Sequence, residues 1–81
     1  MNRDELIARM LTVRRAETIT PGEDDDFEPY NVVIIEVCVE VDGVEFHQSA
    51  MTAEDLSDEL MEAFERLAKD SLANTILSMY A

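Results

Sequence analysis

Cys38 is the only cysteine and His47 the only histidine among 81 residues. A thiol beside an imidazole is the smallest set that supports nucleophilic catalysis. It needs the two within hydrogen-bond reach and a third group to orient the base. Glu36 or Glu45 could fill that third role. Yet no glycine-rich loop or oxyanion donor accompanies the pair, and a thiolate nucleophile works beside cations rather than carboxylates. The run Glu23-Asp24-Asp25-Asp26 raises the question of calcium. An EF-hand loop spaces its ligands at alternate positions around a central glycine, whereas these acids are consecutive and Gly22 precedes them. Phosphate-loop, dinucleotide and zinc-ligand patterns are absent. The chain therefore reads as a non-enzyme, with no catalytic residues, no metal site and no cofactor.

The elements that would position these groups follow from periodicity. Residues 2–15 read as a short amphipathic helix with Leu6, Ile7, Met10 and Leu11 on one face. Asn2 is its N-cap, Asp4 and Glu5 lie in its first turn, and Arg14 and Arg15 suit its far end. The β-branched residues of 12–20 fit a short edge strand equally well. Pro21-Gly22 breaks what precedes it, and residues 17–30 form an acidic loop with Phe27 and Tyr30 as anchors. Residues 31–50 read as a β-hairpin. Val33, Ile35, Val37, Val39 and Val41 share one strand face, and Glu36, Cys38 and Glu40 share the other. Asp42-Gly43 supplies a two-residue turn. That turn sets Val41 opposite Val44, Val39 opposite Phe46, Cys38 opposite His47, and Glu40 opposite Glu45. Like charges so opposed repel, and Arg14 or Arg15 on a neighbouring strand is the expected neutraliser.

Thr52 then caps a helix over residues 53–80, with an apolar stripe from Leu56 and Leu60 through Leu67 and Leu72 to Tyr80. Unbroken, it would run roughly 42 Å. A second cap at Asp70-Ser71 would split it into two helices or kink it. The expected architecture is one α+β domain over residues 1–81. It comprises a short N-terminal helix, a two- or three-stranded antiparallel sheet, and a long or split C-terminal helix packed on one sheet face.

Charge narrows the function. Nineteen acids against six bases give a net charge of −13, while hydrophobic residues make up 47% of the chain, enough for a core. Such a surface repels nucleic acid and anionic membrane and attracts basic protein surfaces. The longest apolar run, Val32 to Ile35, is too short to span a bilayer. A single cysteine fits a reducing, cytoplasmic setting, in the host cytoplasm if the protein is viral, and no signal peptide is visible. On the last helix Glu54, Asp58, Glu62 and Glu65, with Asp55 and Glu59 alongside, would form a ladder of carboxylates at ~6 Å steps. Carboxylates spaced on a rigid rod resemble phosphates along a strand, and could occupy an Arg/Lys-lined groove built for DNA or RNA. Asp24, Asp25 and Asp26 in the loop, and Glu40 and Glu45 in the hairpin, extend the candidate surface.

Met1-Asn2 with Asp4-Glu5-Leu6-Ile7, the segment Val41-Asp42-Gly43-Val44-Glu45-Phe46, and the acidic helix with Met61-Glu62-Ala63-Phe64 resemble small acidic phage-encoded anti-CRISPR proteins. The similarity is to Cas9 inhibitors that have a helix, a small antiparallel sheet and C-terminal helices. It covers the middle two-thirds of the chain as an order of elements with short matches. The Glu23–Asp26 loop and the uninterrupted final helix depart from that pattern. The resemblance implies a stoichiometric inhibitor that presents carboxylates to the nucleic-acid-binding surface of a CRISPR nuclease or surveillance complex, blocking target or PAM engagement. The rival expectation is a homodimeric phage or bacterial structural or assembly protein, with Leu72, Ile76, Met79 and Tyr80 as its interface.

Overall fold

The computed structural model describes residues 2–80, so Met1 of the opening match lies outside it. Asn2 caps the first helix, its side chain accepting a hydrogen bond from the Glu5 N–H at 2.8 Å. This helix, α1, spans Arg3–Arg9 and stops well short of residue 15. The following residues are strand β1, Leu11–Ile19, and not helix or acidic loop. Their β-branched side chains are one reason; the other lies in strand β2, Tyr30–Val41. An apolar strand of this length has two edges of backbone donors and acceptors to satisfy, and β1 pairs with one of them from Leu11↔Cys38 to Ile19↔Tyr30.

Strand β3, Val44–Ala53, pairs with the other edge. The hairpin has the expected register throughout, including Val39↔Phe46, Cys38↔His47 and Glu40↔Glu45. Asp42 and Gly43 take φ of 53° and 79°, the left-handed pair that a type I′ turn requires. A Cβ on Gly43 would meet nothing within 4 Å, so the backbone and not crowding selects glycine there. The sheet is a three-stranded antiparallel meander in the order β1-β2-β3.

Pairing also moves the start of the last helix. Thr52 lies opposite Val33 inside β3, which extends to Ala53, and the helix cap is Ser57. Its hydroxyl accepts from the Leu60 N–H at 3.3 Å. Helix α2 is a single element, Asp58–Met79. Its 22 residues give a rod of about 33 Å, close to the ~40 Å of the 12-residue strand it lies on. The excess helical length goes instead into a longer β3. Asp70 and Ser71 do not cap a second helix, because their side chains are engaged elsewhere. Asp70 pairs with Arg3 at 2.9 Å, and Ser71 accepts from Gln48 at 2.9 Å.

The core lies between α2, α1 and one sheet face. Ile35, Val37, Val39 and Val41 meet Leu6 and Met10 of α1 and Met61, Ala68, Leu72, Ala73 and Ile76 of α2. The opposite sheet face has no helix over it. Leu11, Val13 and Met51 stand there 68%, 57% and 55% exposed. Among the described residues no helix is long and apolar enough to cross a membrane.

Candidate functional site

The expected acidic ladder on α2 is not a uniform one. Glu54 and Asp55 precede the helix, in the turn after β3. Glu65 is held by Arg14 of β1, which donates a hydrogen bond to its carboxylate. Glu62 and Glu65 share a shallow depression with Ile7, Arg66 and Lys69, so that stretch is mixed in sign. The run of unpaired acids on the helix thus shortens to its first turn, Asp58 and Glu59, with Glu62 beyond.

Topology assembles a different cluster. Ile19 and Tyr30 are paired neighbours, so the loop of residues 20–29 leaves and re-enters the sheet at one end. Ala53 pairs with Val32 two residues further along β2, so the 54–57 turn emerges at the same end. Five acids of the loop (Glu23, Asp24, Asp25, Asp26 and Glu28) therefore share one pole with Glu54, Asp55, Asp58 and Glu59, together nine of the nineteen. All nine are exposed, and neither segment contains a lysine or arginine. Among the described residues none of them has an ion-pair partner. Asp25 is ordered locally: its carboxylate accepts from the Gly22 N–H at 3.0 Å. Phe27 and Tyr30 pack on each other at 5.8 Å between ring centroids, and both stay exposed rather than joining the core. Glu23 and Glu28 have the same composition signal as their neighbours and belong with the site.

Glu40 and Glu45 sit at the other end of the sheet, beside the hairpin turn. Neither Arg14 nor Arg15 neutralises them. Arg14 is committed to Glu65, and Arg15 donates to Glu36 with Glu17 at 4.0 Å on its other side. Glu45 instead lies 3.2 Å from His47 Nε2, and Arg9 donates to the Glu40 carbonyl at 2.9 Å. The opposed acids are thus a separate, smaller patch.

His47 lies across from Cys38 on the helix-free face, and its Nε2 is 3.2 Å from the Glu45 carboxylate. Among the described residues no group of histidine, cysteine and acidic side chains is arranged to hold a metal. Of the residues read as a dimer interface, Leu72 and Ile76 are 3% and 1% exposed within the protomer's own core, while Met79 and Tyr80 are exposed. Leu72 and Ile76 are thus spent on the protomer's own fold, and an interface through those two is ruled out, whereas Met79 and Tyr80 stay at the surface.

The Arg14–Glu65 bridge lowers the Glu65 carboxyl below its ordinary 4.5. The hydrogen bond from Arg14 is the main cause, aided by the charges of Arg14 and Lys69 and opposed by partial desolvation. A carboxyl depressed on folding stabilises the fold fully above its unfolded pKa, and this is lost as pH falls through the folded value. Glu65→Gln should therefore melt below the parent at pH 7, and the two melting temperatures should converge in acid, once the pH has fallen below the lowered Glu65 value. Thermal scans at a series of pH values check this; a gap that persists in acid would mean the bridge is not its source.

No protein-family model matches the chain, and neither the curated proteins nor the solved structures contain a match to it.

Proposed function

We propose that this protein is a non-enzymatic acidic inhibitor that occupies a basic, nucleic-acid-binding surface of another protein. The observation that supports this most directly is the pole. Nine exposed carboxylates converge from two separate segments onto one end of the sheet with no cation among them. A fold that needed only a hydrated surface would intersperse both signs and avoid the self-repulsion. Here the six bases lie on α1, β1 and the middle of α2, and Arg14 of β1 is close enough to Asp58 for the two charges to interact without forming an ion pair. A concentrated, unpaired set of carboxylates is the complement of an Arg/Lys-lined groove and can displace the counterions and phosphates such a groove binds.

The target we propose is a CRISPR effector, with the protein acting as a phage-encoded anti-CRISPR in the host cytoplasm. This rests on the resemblance in element order and short matches. The reading draws on the order helix, three-stranded sheet, helix, while the single unbroken α2 departs from the C-terminal helices of those inhibitors.

The test is a titration of the chain into guide-loaded Cas9, with cleavage of a target duplex as readout. Inhibition should be stoichiometric, relieved by excess short PAM-containing duplex, and weaker at higher salt. Cleavage undiminished at saturating protein would remove this target. Inhibition indifferent to salt would remove charge mimicry as its cause.

A further inference from the structure

Strands β1 and β3 are both sheet edges, and they are unlike. β1 carries Arg14, Arg15 and Glu17 along its middle, the kind of charge that discourages strand addition. β3 has no proline, lysine or arginine, and its pairing with β2 runs unbroken from Val44 to Ala53 without a bulge. After Glu45 it contains no acid at all, in a chain where almost one residue in four is acidic. The two-residue turn makes Val41–Val44 a hydrogen-bonded pair, so alternation points the backbone groups of His47, Ser49, Met51 and Ala53 outward and unpaired.

A neutral helix surface runs beside this edge. Ser71 of α2 is bonded to Gln48 of β3, which places that line of the helix on the β3 side. Along the same side Leu60 and Leu67 are 56% and 66% exposed, with exposed Ala63 between them. Helical periodicity assigns these residues to the core, yet they point past the sheet's rim.

We propose that two copies of this chain pair antiparallel through their β3 edges, with the Leu60–Ala63–Leu67 stripes of the two α2 helices packed across the two-fold axis. The spacing supports a second copy as the occupant. α2 packs over β2 and β3. A helix centred on their boundary lies about one strand spacing, ~4.8 Å, from the axis between two joined β3 edges, so the two helices would run ~10 Å apart, a normal packing distance. An antiparallel strand edge is self-complementary, as a two-fold interface requires. Charge points the same way. Two molecules of net −13 approach at least cost through the surface that lacks acids. Antiparallel pairing also sends the two acidic poles to opposite ends of the joined sheet, about 30 Å apart and beyond the screening length of physiological salt, so that each pole shares its end only with the smaller Glu40 and Glu45 patch of the other copy. The helix-free face offers no such fit, since stacking it would bring Glu17, Glu36, Glu40 and Glu45 of both copies together.

Sedimentation equilibrium of the full chain tests the pairing. The parent should show about twice 9.2 kDa, with the dimer fraction rising as salt is added. That salt response is opposite to the one expected for binding a basic partner, so either idea can fail alone. Combined Leu60→Lys and Leu67→Lys, at exposed positions, should weaken association more than about a hundredfold with unchanged circular dichroism. Ser49→Pro, which removes an outward-facing N–H, should do the same. A parent that stays at 9.2 kDa at every salt and concentration would overturn the proposal. So would a dimer that survives the two lysines.

Discussion

Replacing Asp24, Asp25, Asp26, Asp55 and Asp58 together with asparagine should lower affinity for a basic partner by roughly seventyfold. The figure follows from ~0.5 kcal/mol for each exposed charge, about 2.5 kcal/mol in all. The salt slope of binding should flatten in the same variant, because fewer counterions are exchanged. Folding should not suffer. These side chains are exposed and have no ion-pair partner among the described residues, and removing five of nineteen negative charges relieves self-repulsion. The amide oxygen introduced by Asp25→Asn would still accept the Gly22 N–H bond that the carboxylate accepts now. The control is Glu17→Gln with Glu36→Gln, two acids already paired to Arg15, which should change binding far less. Isothermal titration against the partner at two salt concentrations measures both. If the two variants bind alike, the pole has no special part in recognition.

The second large effect concerns the fold. Ile35 is fully buried on the central strand, facing α2. Ile35→Ala should cost about 3.5 kcal/mol, the transfer energy of the lost methyls and methylene plus the cavity they leave. For a domain of this size total stability is about 4–12 kcal/mol, so the variant should melt roughly 15–25 °C below the parent. Ile34, one residue earlier, points to the helix-free face and is only half-buried. Ile34→Ala should lose clearly less. Far-UV circular dichroism melts of the pair decide it, and equal losses would contradict the assignment of faces.

Those two residues also show what is legible from sequence. The hairpin can be read to the residue, because its signals are local: alternation along β2 and an Asp-Gly pair that demands positive φ. β1 cannot be separated from helix, because residues 12–19 satisfy both local patterns and the decision belongs to the free edge of β2. Thr52 passes for a cap for a similar reason, since ten residues of pairing outweigh one capping bond. The stripe through Leu60 and Leu67 has helical periodicity but is wider than one three-stranded sheet can cover, so its rim faces water. The carboxylate ladder fails at Glu65 because a distant arginine, Arg14, reaches it through the fold. The pole, in contrast, joins segments far apart in the chain, and only the antiparallel order of the strands brings them together.

The uncovered side of the sheet has a consequence for the acidic coat as a whole. Leu11 and Val13 on one edge strand and Met51 on the other would, on an electrically neutral molecule, be sticky points inviting contact with identical chains. Mutual repulsion acts as a colloidal barrier against that contact, and it vanishes near pH 4.1, the isoelectric point. The helix-free sheet face and the surplus of carboxylates are thus two halves of one compromise, in which electrostatics guards the side that no helix covers.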